Sequence, residues 1–197
     1  MTQNNIKIAI TGGIGSGKST VSKIIAEEGL PVFSCDQIYC ELLNDKAFLE
    51  VLSKEFEDVL LSDGTLNRKA LSEKVFKDGN KLNKLNAITH PLIMKEAFKR
   101  MQGQNLSFCE VPILFENGFE KLFDGVIVIL RDKQQRINSV IKRDGISRKN
   151  ALLRINSQYN YDKNNFTKYY VIHNDGNFDD LRQKTLQILA KITQGAS

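Results

Sequence analysis

The sequence predicts an α/β fold built on a five-stranded parallel sheet, and three observations point to it. Gly12-Gly13-Ile14-Gly15-Ser16-Gly17-Lys18-Ser19 follows an apolar strand and opens a helix, the strand, loop, helix order of a phosphate-gripping loop. Val126-Ile127-Val128-Ile129-Leu130 is apolar throughout, as expected of a strand covered on both faces. Strand-like and helix-like segments alternate along most of the chain, which calls for parallel strands joined by right-handed crossovers.

Ile6, Ile8 and Ile10 alternate with Lys7 and Ala9 to give the first strand, and Val21, Ile24 and Ile25 stand at helical spacing before Gly29. A second short strand fits Leu30 to Ser34. A long helical region then reaches about Met101 with no obvious strand, interrupted at Asp63-Gly64, Asp78-Gly79 and His90-Pro91. Strands return at Ser107 to Val111 and Gly125 to Leu130. Helical patterns follow at about 133 to 143 and 147 to 158. A last strand covers Tyr169 to His173, and a closing helix carries Phe178, Leu181, Leu186, Leu189 and Ile192. The expectation is one domain over 1–197, with a core of 1–36, 104–132 and 167–197 and two helical insertions, 37–103 and 133–166.

A chain of 197 residues with 41% hydrophobic content can bury a single core. No stretch approaches the roughly eighteen apolar residues that span a bilayer. Met1-Thr2-Gln3-Asn4-Asn5 lacks the basic and apolar regions of a secretory signal, so a cytoplasmic location without a membrane partner is expected. Cys35, Cys40 and Cys109 form no CxxC pair and read as reduced, mostly buried thiols. The net charge is +5, yet residues 131–168 carry ten Lys or Arg against three acids, which is +7 and leaves −2 elsewhere. A local cationic segment suits a polyanion, either a nucleotide triphosphate or nucleic acid.

The glycine-rich loop carries the clearest chemistry. Backbone N–H groups of Gly13, Gly15, Ser16 and Gly17 are expected to turn onto phosphate oxygens, with the following helix aiming its positive end at them. Lys18 would reach the β- and γ-phosphates, Ser19 would offer its hydroxyl to Mg²⁺, and Thr20 or backbone amides would hold the α-phosphate. Phosphoryl transfer also needs a group that orients or deprotonates the acceptor. Asp36 stands just past the carboxyl end of the second strand, where ligands bind in open α/β sheets, so it is expected to share a crevice with the loop. An acid at that position can equally cap a helix. Arg131, Arg136, Arg143, Arg148 and Arg154 can close over ATP or lie solvated. Arg136 and Arg143, seven apart, face the same way on a continuous helix.

With these pieces in order, the sequence resembles the dephospho-coenzyme A kinases, P-loop kinases of the nucleoside monophosphate kinase-like type. The likeness rests on Thr11 to Thr20, Asp36, Asp63-Gly64-Thr65-Leu66-Asn67-Arg68, His90-Pro91-Leu92-Ile93, Val111-Pro112-Ile113-Leu114-Phe115-Glu116, Arg143-Asp144, Gln158 and Asn174. It implies a three-layer P-loop NTPase fold and transfer of the γ-phosphoryl of ATP to the ribose 3′-hydroxyl of dephospho-coenzyme A. It further implies Asp36 as base, insertion 37–103 as a substrate-binding domain and 133–166 as a lid. By position, Asp36, Arg68, His90 and Glu116 fall on the acceptor side, Arg143 and Lys18 on the transferring phosphoryl, and Asn174 at the adenine of ATP. A monomer or weak homo-oligomer is expected.

Read independently, His90 also fits a helix boundary, Glu116 a surface acid, and Arg68 a partner of Asp63. Three positions depart from the family pattern. Ser34-Cys35-Asp36 replaces Asp-Ala-Asp, Cys40 replaces an arginine, and Lys168-Tyr169 replaces Ala-Asp, so a contact between lid and core must be made differently there. A GTP-dependent switch is disfavoured because Asp-x-x-Gly is absent and Asn83-Lys84-Leu85-Asn86 lacks the guanine-reading aspartate. A nucleic-acid module would need aromatic platforms among the arginines, whereas Tyr159, Tyr161 and Phe166 lie only at the segment's end. Another small kinase of the same fold is disfavoured by the Asp63 to Arg68 turn and His90-Pro91.

Overall fold

The computed structural model describes residues 5–76 and 78–195. Elements follow in the order β1 (Ile6–Gly12), α1 (Lys18–Glu27), β2 (Val32–Ser34), α2 (Cys35–Leu42), α3 (Lys46–Glu55), α4 (Arg68–Phe76), α5 (Gly79–Met101), β3 (Leu106–Glu110), β4 (Gly125–Leu130), α6 (Lys133–Asp144), α7 (Arg148–Asn156), β5 (Tyr170–His173) and α8 (Phe178–Gly195), with a short 3₁₀ turn at Phe119–Leu122. They fall into two compact units, Met1–Ser34 with Met101–Ser197, and Cys35–Arg100.

In the first unit the five strands pair in parallel in the order β2-β3-β1-β4-β5. β1 therefore lies at the centre, with Ile10 opposite Glu110 on β3 and Ile127 on β4. Alternate residues Ile8, Ile10, Phe108, Ile127, Ile129 and Ile172 form one face and pack on Val21, Ile24 and Ile25 of α1 and Leu181, Ile188, Leu189 and Ile192 of α8. Residues of the opposite parity, Ala9, Cys109, Val126 and Val128, are buried as well, so the continuous apolar run of β4 has the cause inferred from sequence: cover on both faces. Each large side chain in this core contributes on the order of 1.5–3 kcal/mol.

The second unit is helical. Its core gathers Leu43, Phe48, Leu49, Leu52, Phe56, Val59, Leu71, Val75 and Leu85. Asp45 caps α3 by accepting the Phe48 N–H at 2.9 Å, and Asn67 caps α4 through the Ala70 N–H at 3.0 Å. The break read at Asp63-Gly64 is a turn that closes a single antiparallel bridge, Leu60 with Leu66. The break expected at His90-Pro91 does not occur, because α5 runs through Pro91 for 23 residues. Proline removes one helical N–H and leaves the Ala87 carbonyl without it, but Ala87 is exposed, while Leu85, Ile93, Met94 and Ala97 are buried and hold both halves in line. Boundaries elsewhere moved by a residue or two, as at β2, which begins at Val32 rather than Leu30.

Phe108 is fully buried in the central sheet. Phe108→Ala is expected to lower the unfolding free energy by about 3–5 kcal/mol in urea denaturation. A loss under about 1 kcal/mol would contradict a close-packed core at β3.

Candidate active site

The glycine-rich loop leaves the carboxyl end of the central strand, beside the ends of β3 and β4. Its first turn needs glycine: Gly12 has φ +153°, and a Cβ there would collide with the Ile129 carbonyl oxygen and lie 2.7 Å from Ser16 Oγ. Gly17, at φ +101°, is the N-cap of α1, and no side chain caps that helix. The start of α1 thus lies where helix geometry favours an anion. Lys18 Nζ donates to the Gly12 carbonyl at 2.9 Å and the Gly13 carbonyl at 3.4 Å, lying back along the loop it serves. Ser19 is exposed at the second position of α1, and Thr20 is half-buried.

Asn174, buried just past β5, donates its side-chain amide to the Ser16 carbonyl at 2.7 Å and its backbone N–H to Leu130. A side chain at Gly17 would run into that amide. The residue assigned from sequence to the adenine side therefore also braces the loop.

The basic segment grips the loop from elsewhere. Arg136 of α6 is 3% exposed, donates Nε to the Ile14 carbonyl at 3.3 Å and pairs with Asp162 at 3.3 Å. Arg131 donates to the Gly15 carbonyl at 3.2 Å. Arg143, in the last turn of α6, is 61% exposed and pairs with Asp144 at 2.6 Å, a carboxylate that Arg154 shares at 2.7 Å. The hydrogen bonds from Arg143 hold the Asp144 carboxyl below its usual range. Arg136 and Arg143 thus do not act alike despite their spacing: the amino-terminal half of α6 is pressed on the loop, whereas its carboxyl end reaches solvent.

After α7 the chain returns across the loop. Gln158 Oε1 accepts the Ile14 N–H at 2.7 Å. Thr11 donates its hydroxyl to the Val111 carbonyl at 2.9 Å and so accepts from the Tyr161 hydroxyl at 3.0 Å. Burial pushes the Tyr161 hydroxyl far above its usual pKa, opposed by its bond with Thr11, so it stays a donor at any working pH. Phe115 packs on Tyr159, Tyr161, Phe166 and Tyr169 with ring centroids 5.2, 6.1, 5.4 and 5.4 Å away. Glu116 accepts the Tyr159 N–H at 3.0 Å. Where the family pattern has an acid, Tyr169 makes its contact through this ring cluster. Sequence reasoning missed Tyr161; the run of aromatic residues closing a basic segment was the available signal.

In the second unit, Asp36 is exposed in the first turn of α2 rather than at its cap, a position where the helix dipole favours an anion. α2 is fixed by Glu41, which pairs with Arg100 of α5 at 2.7 Å; Arg100 also holds Glu96 at 2.8 Å. Arg68 opens α4 and is exposed. Asp63 does not pair with it, since its carboxylate accepts the Thr65 N–H at 2.9 Å and hydroxyl at 2.6 Å. Burial raises the Tyr39 hydroxyl pKa, with Arg68 opposing, which places that guanidinium within electrostatic reach of α2. His90 is half-buried within α5, not at a helix end. Cys35 and Cys109 are buried and Cys40 is exposed, and none of the three is in a disulfide. Among the described residues no group of three or more His, Cys, Asp and Glu is placed to hold a metal, and no helix is long and apolar enough to cross a membrane.

Comparison with known proteins shows the family. The dephospho-CoA kinase family model matches residues 6–180. A dephospho-CoA kinase from Fusobacterium nucleatum subsp. nucleatum is 37% identical over 180 residues, covering 90% of this chain and 93% of the relative. A crystal structure of a protein from Thermus thermophilus is 32% identical with a TM-score of 0.80, covering 94% of this chain and 97% of its own. The dephospho-CoA kinase of Campylobacter jejuni is 27% identical with a TM-score of 0.70, covering 97% and 98%. The family likeness and the P-loop kinase fold read from the motifs are borne out.

Gly17→Ala is expected to weaken ATP binding about tenfold or more, because it forces a side chain into a left-handed backbone and into Asn174. Equilibrium nucleotide titration checks this, with circular dichroism confirming the fold. An unchanged affinity would show that the loop does not need this geometry.

Proposed function

The chain belongs to the dephospho-CoA kinase family and is an ATP-dependent kinase, and from that premise we propose that it transfers the γ-phosphoryl of ATP to the 3′-hydroxyl of dephospho-coenzyme A. The observation that carries the reading is the family match over residues 6–180, which takes in the whole of the second compact unit and most of the first; a phosphate loop alone is shared by proteins of many purposes.

ATP is gripped by the backbone N–H groups of Gly13, Gly15, Ser16 and Gly17, the start of α1 and the Lys18 ammonium, which exchanges its loop carbonyls for phosphate oxygens. Asp36 accepts the proton of the acceptor hydroxyl as that oxygen bonds to the γ-phosphorus and the bond to the ADP oxygen breaks. Arg143, moving off Asp144, meets the charge on the migrating group. Arg68, His90 and Glu116 hold the acceptor, and Asn174 lies on the adenine side of ATP. In this reading residues 37–103 bind the acceptor and 133–166 form the lid.

The donor set fits magnesium, which keeps most of its ligands as water and phosphate oxygens and asks little of the protein. Ser19, an exposed hydroxyl at the start of α1, would hold it, and the ion would supply charge neutralisation across the β- and γ-phosphates. The reaction belongs to the cytoplasm, with the chain acting as a monomer or weak homo-oligomer and without nucleic acid.

A coupled ADP-release assay over an acceptor panel tests the substrate. Dephospho-coenzyme A is expected to trigger turnover, and adenosine monophosphate and shikimate are not. ADP release that ignores the acceptor would contradict the proposal. Asp36→Asn is expected to cut kcat by about 10²–10⁴ while leaving ATP affinity within about twofold. Near-normal turnover would remove Asp36 as the base.

A further inference from the structure

Ile14 is the only residue between Gly12 and Ser16 that carries a side chain, since Gly13 and Gly15 flank it. A loop so rich in glycine gains freedom that must be removed before it can present a fixed set of N–H groups. Ile14 is therefore the handle by which the rest of the first unit can hold the loop, and the structure grips it at every point.

The Ile14 side chain packs on the cluster of Ile137, Val140, Ala151 and Ile155, formed between α6 and α7. Its carbonyl accepts from Arg136 at 3.3 Å, and its N–H is taken by Gln158 at 2.7 Å. Three residues further on, Tyr161 is bonded to Thr11 at the other end of the same turn. The arm bearing both residues is itself fastened by the Phe115 ring cluster and by Glu116. Gln158 thus has a fixed backbone from which to orient the peptide plane between Gly13 and Ile14.

We propose that Gln158 is a positioning residue for phosphoryl transfer: by taking the Ile14 N–H it fixes the loop in the form that receives the nucleotide phosphates, and so sets ATP affinity. The consequence is a direct mechanical link between the α6–α7 segment and the phosphate loop. A loop ordered before binding does not have to be ordered by the nucleotide. This inference rests on the reading of Gly12 to Ser19 as the nucleotide site.

The test is Gln158→Met, which keeps the length of the side chain and removes the acceptor. KM for ATP is expected to rise about tenfold, because the nucleotide must then order a loop whose Ile14 N–H has lost its acceptor. KM for dephospho-coenzyme A and the thermal midpoint are expected to stay unchanged, and the Ile14 amide is expected to exchange faster with solvent by NMR. Gln158→Glu, which retains an acceptor oxygen, is expected to keep that amide protected. An unchanged KM for ATP in Gln158→Met would overturn the proposal. So would a joint rise of both KM values with a fall in the midpoint, the mark of a merely structural residue. Lys18→Ala separates the two levels. If it too leaves ATP affinity unchanged, the nucleotide site itself is misplaced; if it destroys binding while Gln158→Met does not alter it, only the role of Gln158 fails.

Discussion

The first unit is organised around one constraint: a phosphate loop has to expose its N–H groups and yet cannot hold itself still. Glycine is forced at Gly12 by the Ile129 carbonyl and at Gly17 by Asn174. Those same glycines leave a segment with little side-chain packing of its own. The surrounding elements supply the rigidity. β1 is central and pinned by β3 and β4, Asn174 braces Ser16 from beyond β5, and Arg136 of α6 and Arg131, just past β4, lie on the loop carbonyls. The +7 segment that reads in sequence as a partner for ATP is thus partly spent on the protein's own carbonyl oxygens.

Much of this was legible in the sequence because it rests on local rules. The loop pattern, the apolar β4 run and the period of α8 each have one physical cause, and each element lies where those causes put it. What escaped reading depended on contacts distant in the chain. His90-Pro91 looks like a helix break, but the buried residues on both sides of it, from Leu85 to Ala97, keep α5 whole. Arg136 looks like one of several lid arginines, and only the position of the loop, more than a hundred residues earlier, makes it buried. Tyr161 shows in sequence only as one of a run of aromatic residues, and its partner Thr11 lies 150 residues away. In the candidate site, the glycine-rich loop and Lys18 could be read from spacing alone; the residues that hold the loop could not.

The departures from the family pattern acquire physical content. Cys40 stands exposed on α2 where the family pattern has an arginine, and the helix is held through Glu41 by Arg100 of α5. Tyr169 replaces an acid, and its ring joins Phe115 and Phe166 where a polar contact was expected. A ring cluster is less dependent on pH and salt than an ion pair would be, so the arm that returns across the phosphate loop is fastened mainly by apolar packing. Cys35, between Ser34 and Asp36, is buried, which seats the start of α2 and leaves Asp36 exposed beside it.

In the reaction proposed for this chain the γ-phosphoryl group passes directly from ATP to the acceptor hydroxyl. Following the phosphorus by ³¹P NMR in a single reaction of ATP with dephospho-coenzyme A tests it most directly. The γ-phosphorus resonance is expected to be replaced by that of a 3′-phosphomonoester in step with ADP, with no inorganic phosphate formed. Appearance of inorganic phosphate in place of the ester, or of the ester at another hydroxyl, would contradict it.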